Sequence, residues 1–451
     1  MLISKIRLLC TRLLAALGAF NSARLKRLAL ENIWLVSGAL ISILGSLALV
    51  RLLTQYLNPS EYGQLALALT ITNLINQVVM CGLISGIGRY FSIAKDIARL
   101  QEYLSHSYVL LRYATFATFA IGTSLFLGAF FSNHVDWLKL IFITIIFSII
   151  SNYNGVFGDI QNAARNRPIL VINNSLDTLL KIIFTFLTII IFGVSSTVIM
   201  LAYTMSAIVV LISNKFLLKY AIPVTKISDS KQADTSRNWQ QLIWAYAWPF
   251  SAWGIFTWAQ QASDRWALQL FSTTEDVGLF AVLFQLGYAP IIMFSGLLAG
   301  FLTPIFYSRA GDATDKSRNA NVHNINQLLS YTLLTLTIIG FLVTWYLRDL
   351  IFSILVSPEF RGRSYLLPWF VLAGGLFSTG QMLVLKILSE VRPRIMLTVK
   401  ISTAVFGVLL NIIGAWLAGI NGVAGSIVIF STIYVVSMFW LTSQSKSALH
   451  G

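Results

Sequence analysis

The sequence predicts an all-α polytopic membrane protein with about twelve transmembrane helices, arranged in two six-helix lobes related by a parallel repeat. Three observations support this fold class. The 451 residues are 57% hydrophobic and 11% charged, with a mean hydropathy of +0.76, and a soluble domain carries about twice that charged fraction. Apolar runs recur at the length of about 20 residues that a helix needs to cross a bilayer. A polar corner motif also occurs twice.

The apolar runs define twelve predicted spans, each bounded by charged residues or by segments that carry Gly or Pro. They are 33–56, 64–87, 107–131, 138–158, 169–193, 196–216, 241–263, 278–304, 327–347, 365–389, 396–419 and 421–442. Six spans in each half give both halves the same orientation, so the repeat is related by an axis along the membrane normal.

The basic residues predict how the chain is oriented, because cytoplasmic loops of membrane proteins collect Lys and Arg. With the N-terminus inside, the cytoplasmic segments hold about 25 of the 32 basic residues and the opposite side holds about 6. Both termini are therefore predicted to be cytoplasmic. The same distribution accounts for most of the formal charge of +15 as basic loops at a membrane surface. We expect no nucleic-acid partner.

The duplicated motif is a polar helix-loop-helix corner. Residues 51–66 begin with Arg51 and reach Asn-Pro-Ser-Glu-Tyr-Gly63, and residues 265–281 begin with Arg265 and reach Thr-Thr-Glu-Asp-Val-Gly278. A second, weaker repeat places an Arg-Pro pair at the entry of span five and again at the entry of span eleven. Duplicated bundles in a chain this apolar are typical of transporters.

These features divide the chain into five predicted regions. They are a basic cytoplasmic leader (1–30), an N-terminal six-helix lobe (31–216), a cytoplasmic linker (217–240), a C-terminal six-helix lobe (241–442) and a cytoplasmic tail (443–451). The leader also has the features of a secretory signal, with basic residues ahead of an apolar run. Arg24, Lys26 and Arg27, just before span one, favour a retained interfacial anchor instead.

Motifs for catalysis or cofactor binding are not found in the sequence. The four His residues are scattered over loops and span ends, and Cys10 and Cys81 have no metal or redox spacing between them. We therefore expect no catalytic residue, no metal and no cofactor, and we do not expect an enzyme.

Span five carries the most informative charges. Asn173, Asn174, Asp177 and Lys181 fall within an arc of about 100° at helical spacing, and Asp177 lies near mid-membrane. A charge at the bilayer centre costs roughly 2.5–3.5 kcal/mol on insertion scales, so it is normally kept for a pathway or a partner. Asp177 and Lys181 are predicted either to line a cavity or to form an i,i+4 ion pair that neutralises itself.

Four further charged positions are candidates for the cavity. Asp264 and Arg265 close span seven near its outer end, and Arg51 has the matching place in span one. The two arginines either rim a central cavity or anchor their helices at the interface, where Arg extends to water. Arg89, at the inner end of span two, is either a boundary charge or a ligand contact at the cytoplasmic mouth.

Span seven and its approach hold six of the twelve Trp residues. We single out Trp248 and Trp258 as candidate contacts for sugar rings, because aromatic faces stack on sugars and the indole N–H donates hydrogen bonds. The alternative is an interfacial belt with lipid-facing bulk. Pro249 is expected to kink this helix.

The corner at Leu57-Asn-Pro-Ser-Glu-Tyr-Gly63 resembles that of Wzx-type polysaccharide flippases, in the superfamily that also contains multidrug and toxic-compound exporters (MATE) and lipid II flippases. The resemblance extends to Asp264-Arg265, to Thr274-Glu-Asp-Val-Gly278, to Pro304-Ile-Phe-Tyr-Ser-Arg309 and to the twelve-span layout, so it covers nearly the whole chain. It implies a V-shaped, MATE-like pair of lobes around a cationic cavity that opens alternately to the cytoplasm and the periplasm.

The resemblance also implies a substrate, partners and a location. The substrate would be an oligosaccharide repeat unit on undecaprenyl diphosphate, for O-antigen or another surface polysaccharide, with the lipid tail left in the bilayer. Arg51, Lys181 and Arg265 would pair with the diphosphate or with acidic sugars. Partners would be the lipid-linked oligosaccharide and membrane lipids, with a polysaccharide polymerase and a chain-length regulator as further candidates. The location would be the bacterial inner membrane.

Other functions are weighed against this expectation. A multidrug or cation exporter of the same superfamily would favour a more acidic cavity. A polysaccharide polymerase or ligase would need a large external loop, whereas the longest predicted one runs only from about Arg348 to Arg363. A lipid II flippase usually has two additional C-terminal spans. A scaffold without transport would not need Asp177 and Lys181 at mid-span.

Overall fold

The computed structural model describes residues 22–131, 135–164, 166–221, 238–310, 316–389 and 393–447. Within these residues it contains twelve long helices, which correspond one to one with the predicted spans. They are α1 (Ser22–Tyr56), α2 (Pro59–Asp96), α3 (Leu100–Phe131), α4 (Val135–Ala163), α5 (Arg167–Phe192), α6 (Ser196–Ala221), α7 (Trp239–Phe271), α8 (consecutive segments Thr274–Leu283, Phe284–Tyr288 and Ala289–Ala310), α9 (Lys316–Leu355), α10 (Leu367–Ser389), and α11 and α12, which are the two parts (393–417 and 420–447) of Pro393–Ser447. A 3₁₀ segment, Pro358–Leu366, precedes α10.

Ten helical stretches of the described residues are long and apolar enough to cross a membrane. One of the ten, Thr398–Ser443, contains both α11 and α12, and α7 is not among them. The chain is therefore an all-helical membrane protein with about twelve spans, as the sequence predicts.

The turn between α11 and α12 depends on Gly419. This residue has φ +55 and ψ −132, in a region that residues with a Cβ rarely adopt. The chain reverses there, and α11 and α12 then pack closely. A Cβ on Gly422 would overlap the carbonyl oxygen of Gly414, and Ser426 Oγ donates to the Leu410 carbonyl at 2.7 Å. The predicted boundary between spans eleven and twelve is confirmed.

The helices form two lobes with the same internal packing. In the N-terminal lobe α1 packs on α5, α2 on α4, and α4 on α6. In the C-terminal lobe the corresponding contacts are α7 on the α11–α12 hairpin, α8 on α10, and α10 on that hairpin. The equivalent helices α2 and α8 also each contain a π-helical segment, Asn76–Met80 and Phe284–Tyr288. The parallel repeat is thus a property of the fold.

Both duplicated corners are helix N-termini built in the same way. Asn58 caps α2 by accepting from the Glu61 backbone N–H at 2.8 Å, and Thr273 caps α8 by accepting from Asp276 N–H at 3.1 Å. In each case the third residue of the helix is acidic, which complements the partial positive charge of a helix N-terminus. This local chemistry explains why the motif recurs.

The lobes meet where α2 crosses α8, directly after these caps. A Cβ on Gly63 would overlap the Thr274 carbonyl oxygen, and a Cβ on Gly278 would overlap the Pro59 carbonyl oxygen. Tyr62 packs edge to face on Phe360 of the 3₁₀ segment, with ring centroids 5.8 Å apart. We call this region the corner contact. It joins the lobes at the end of the bundle that carries both corners.

A second seam between the lobes runs along α2 and α7. A Cβ on Gly82 would overlap the Ala247 carbonyl oxygen, and one on Gly254 would overlap that of Gln77. Tyr90 and Tyr246 meet edge to face at 6.1 Å. This close backbone approach makes α7 a bridge, because it also packs within its own lobe.

The predicted leader, linker and tail lie largely outside the described residues, which omit 1–21, 222–237 and 448–451. Their boundaries stay predictions.

Candidate substrate cavity

A cavity of about 560 Å³ lies between the two lobes next to the corner contact. We call it the central cavity. Its walls come from α1, α2, α4, α5 and α6 on one side and from α7, α8 and α10 on the other, and most of them are aliphatic or aromatic. The polar side chains that line it are Ser46, Tyr62, Thr70, Asn73, Lys181, Tyr203, Gln260, Gln261, Arg265, Gln285 and Tyr288. Among the described residues, its lining includes two cations and no carboxylate.

Arg265 reaches the central cavity from α7 and is held there on two sides. Its Nη1 donates to Asp264 Oδ1 at 3.3 Å and to the Gln261 carbonyl at 3.1 Å. Its guanidinium stacks on Phe284 at 4.7 Å and lies 5.6 Å from the Phe280 ring. Because a guanidinium has five N–H donors, donors remain for a ligand in the cavity.

Asp264 is the counter-ion of this arginine and does not line the central cavity. Its side chain is 5% exposed, and the Arg265 backbone N–H also donates to its Oδ1, at 2.7 Å. A buried carboxylate without these contacts would be strongly unfavourable. Its position therefore indicates that it orients Arg265.

Lys181 reaches the same cavity from α5. Its Nζ donates to Asp177 Oδ2 at 2.6 Å and lies 5.5 Å from the Tyr203 ring centre. Ser206 Oγ of α6 donates to the other oxygen of Asp177, Oδ1, at 2.8 Å. The two predicted alternatives for this pair occur together, since the residues form an ion pair and Lys181 also lines the cavity. Asp177 faces a different space.

That space is a second cavity of about 300 Å³ inside the N-terminal lobe, between α4, α5 and α6. We call it the side cavity. One of its walls is an amide network: Asn214 Oδ1 accepts from Gln161 Nε2 at 2.9 Å and from Asn173 Nδ2 at 2.6 Å, and Asn214 Nδ2 donates to Asn154 Oδ1 at 3.1 Å. Phe147 and Lys181 line both cavities, so the two spaces meet there.

The sequence reasoning found the α5 part of the side cavity and missed the rest. Asn154 and Gln161 on α4 and Asn214 on α6 have no charge and no shared motif. An available signal was the rarity of carboxamides inside apolar spans, since a polar group in the bilayer needs a partner.

Arg51 lies in a different place from Arg265. It lines a recess of about 660 Å³ at the corner end, together with Glu61 and Glu359, and it does not line the central cavity. The helical period explains this, because the α1 residues that line the central cavity are Ser46, Leu49, Val50 and Leu53, and Arg51 falls on another face. In this structure Arg265 thus lines the central cavity and Arg51 lines the recess at the corner end, and a substrate contact of either arginine stays a prediction.

Arg89 is exposed on α2 and lines neither the central cavity nor the side cavity. In the structure it is a charge on the surface of the second half of that helix.

The tryptophans of α7 contribute to the lobe interface. Trp258 Nε1 donates to the Thr70 carbonyl at 2.9 Å, and Trp266 Nε1 donates to Thr70 Oγ1 at 2.9 Å. Trp248 is 56% exposed. Neither Trp248 nor Trp258 lines the central cavity; its aromatic lining consists of Tyr62, Phe147, Tyr203, Phe284, Tyr288 and Phe377. The indole groups at positions 258 and 266 thus hold α7 on α2.

The two-lobed fold is similar to those of solved transporters of the MOP superfamily. An inward-facing multidrug resistance MATE family transporter superposes with a TM-score of 0.65 at 15% identity, covering 93% of this chain and 99% of that one. The outward-facing conformation of such a transporter gives 0.58 at 14% identity, with 93% and 97% covered. The lipid II flippase MurJ in an inward closed conformation gives 0.64 at 13% identity, with 92% and 87% covered.

At these sequence identities the structural similarity shows the fold alone. The family is shown by a match of the sequence to a family model. Residues 29–310, more than half of the chain, match the family described as polysaccharide biosynthesis protein. The chain belongs to that family. No curated protein sequence matches it.

Proposed function

We propose that this protein is a flippase that moves undecaprenyl-diphosphate-linked oligosaccharide repeat units from the cytoplasmic to the periplasmic leaflet of the bacterial inner membrane. The transport would use alternating access and would serve O-antigen or another surface polysaccharide. The observation that carries the proposal is the positive charge of the central cavity. Among the described residues, its charged lining side chains are Lys181 and Arg265. Membership of the polysaccharide biosynthesis family supports it.

The cavity chemistry suits an anionic, glycosylated head group. Charge-assisted hydrogen bonds from Lys and Arg to phosphate are among the strong ones, and Gln and Tyr side chains offer both donors and acceptors to sugar hydroxyls. The volume of about 560 Å³ is in the range of ligand sites, roughly 300–1,000 Å³. Asp177 and Asp264 neutralise the two cations while the cavity is empty, which lowers the cost of keeping them in the membrane.

In this proposal the described conformation is closed towards the periplasm. With the N-terminus in the cytoplasm, the corner contact lies on the periplasmic side and closes it.

Outward movement is favoured by the membrane potential. A head group with about two negative charges gains roughly 2.3 kcal/mol per charge per 100 mV on moving to a positive exterior. Transport therefore does not require ATP. Antiport of a proton or sodium through Asp177 or Asp264 is an alternative means of coupling.

Export of multidrug cations is the alternative function, because the fold is shared with MATE transporters. A cation in the central cavity would meet Lys181 and Arg265, and like charges in a partly desolvated site repel strongly. The electrostatics of the cavity therefore favour an anion.

The test is a flipping assay in proteoliposomes that contain a fluorescent undecaprenyl-diphosphate oligosaccharide and a lectin outside. Wild-type protein is expected to expose the sugar to the lectin, and Lys181→Met and Arg265→Met are expected to slow this step at least about ten-fold, which corresponds to one lost charged hydrogen bond. Arg89→Met is the matched control, with the same loss of charge away from both cavities. Transport of ethidium without flipping of the lipid-linked sugar would overturn the proposal.

A further inference from the structure

The side cavity has an unusual lining for a space inside a transmembrane lobe. Its polar lining consists of six carboxamide side chains, the Ser151 hydroxyl, the carboxylates of Asp159 and Asp177, and Lys181. Asn162 and Asn174 line the exposed part of this space, and their side chains make no hydrogen bond to another described residue. An empty polar cavity in a membrane protein is unfavourable unless water or a ligand satisfies its groups.

We propose that the side cavity is a saccharide subsite, which receives a sugar of the head group while the diphosphate is bound at Lys181. This inference rests on the proposed function and adds where in the structure the sugar of the head group binds. Each sugar hydroxyl both donates and accepts hydrogen bonds, and carboxamides supply both kinds of group in a fixed plane.

The amide network makes the subsite rigid. Asn214 is held by Gln161, Asn173 and Asn154, so the wall does not have to reorganise when a ligand enters. Gln161 is fully buried, and its Oε1 has no partner. Gln161 Oε1 has no accessible surface, so it belongs to the fixed interior of the wall and is not a contact for a ligand in the cavity.

The position of Lys181 connects the two sites. Lys181 and Phe147 line both cavities, so a diphosphate at Lys181 Nζ lies at the mouth of the side cavity. The Phe147 ring at the same mouth offers an aromatic face near the first sugar. Asp177 forms part of the wall beyond it and is an acceptor for a sugar hydroxyl.

A metal cation fits this space less well than a sugar. Of the two carboxylates that line it, Asp177 is already neutralised by Lys181 at 2.6 Å, which leaves Asp159. Bound cations take several oxygen ligands at about 2.0–2.6 Å, and a space of about 300 Å³ is far larger than such a shell. Amide oxygens can coordinate cations, but those of Asn154, Asn173 and Asn214 already accept hydrogen bonds from neighbouring side chains.

The experiment measures binding to full-length protein in nanodiscs by calorimetry. The probes are farnesyl diphosphate and farnesyl diphosphate that carries galactose, glucose or N-acetylglucosamine. Wild-type protein is expected to bind at least one of the three glycosylated probes about five-fold or more tightly than farnesyl diphosphate, the ratio expected for one neutral hydrogen bond.

The variants separate the sugar from the diphosphate. Asn174→Leu and Asn162→Leu, which keep the side-chain size, are expected to reduce that advantage about five-fold each and to leave the affinity for farnesyl diphosphate unchanged. Lys181→Met is expected to weaken binding of all four probes. Asn421→Leu, the same change at the outer end of the C-terminal lobe, is the control and is expected to bind like wild type.

The outcomes distinguish this inference from the proposed function. If farnesyl diphosphate binds through Lys181 while no glycosylated probe binds better and Asn174→Leu has no effect, the saccharide subsite is wrong and the flippase proposal stands. If Asn174→Leu changes only the sodium or pH dependence of binding, the side cavity is an ion site and the inference is again overturned. If wild type does not bind farnesyl diphosphate, the proposed function itself fails.

Discussion

Gly63 and Gly278, the same position of the duplicated corner in the two lobes, pack against each other's helices. A Cβ on Gly63 would overlap the carbonyl oxygen of Thr274, and a Cβ on Gly278 would overlap that of Pro59. The repeat thus builds a nearly symmetric contact between α2 and α8. Since this contact joins the lobes at one end of the cavity, it is where that end would open in the proposed alternating-access transport.

Enlarging one of these glycines is expected to weaken the closed corner. Gly278→Val places methyl groups against the α2 backbone, and overpacking of this kind costs about 1–3 kcal/mol. Separation of the two lobes relieves the overlap between the valine side chain and the α2 backbone. Access to the central cavity from the corner end should therefore increase. The measurement is the reaction rate of a cysteine placed in the central cavity (Ser46→Cys) with a membrane-impermeant thiol reagent added on that side.

Gly425→Val is the control for this experiment, because a Cβ at Gly425 has no neighbour within 4 Å. It is expected to leave the labelling rate unchanged. An equal rate in Gly278→Val and the control would mean that the corner contact does not hold the cavity closed.

The two tryptophan contacts on Thr70 are expected to stabilise the same state. Trp258→Phe and Trp266→Phe each remove an indole N–H that donates to Thr70, a loss of about 1 kcal/mol. Spin labels across the corner should report a larger open population in each variant, and more in the double variant. Trp248→Phe, at an exposed site, provides the comparison and should match wild type. Identical distance distributions in wild type and all four variants would contradict the role of these contacts.

The ion pair of α5 gives a prediction that separates stability from transport. Lys181→Met leaves Asp177 without its cation in the lobe, so the protein should melt at a lower temperature than wild type. Asp177→Asn combined with Lys181→Met removes both charges and should recover most of the melting temperature, because the penalty comes from the unpaired charge. Flipping should stay low in both variants. Normal transport by the double variant would show that span five does not contribute to the substrate site.

The two duplicated arginines are expected to differ in function. Arg265 lines the central cavity, and Arg51 lines the recess at the corner end. Arg265→Met should therefore weaken binding of farnesyl diphosphate about ten-fold, as for a lost charged hydrogen bond, whereas Arg51→Met should leave it close to wild type. Equal losses in both variants, measured by calorimetry, would place Arg51 in the substrate site after all.

Local sequence features predicted the helices and their ends well. Apolar runs of bilayer length depend only on consecutive residues, and all twelve predicted spans correspond to helices. The two corners were also predicted, because Asn58 and Thr273 cap their helices through hydrogen bonds to backbone N–H groups three residues further along the chain. The π-helical segments in α2 and α8 have no such local signal and were not predicted.

The sequence by itself determined the class of protein: the number of spans, the duplication, and the cations and amides placed inside apolar helices. Only the tertiary structure decided which of these groups share a cavity. Arg51 lies apart from Arg265 because another face of α1 lines the central cavity. Trp258 and Trp266 hold α7 on α2. Packing of α4 on α6 brings Asn154 and Gln161 into contact with Asn214. The physical reason is that helix formation depends on local hydrogen bonds and hydrophobicity, whereas the face each helix presents depends on packing against segments distant in the chain.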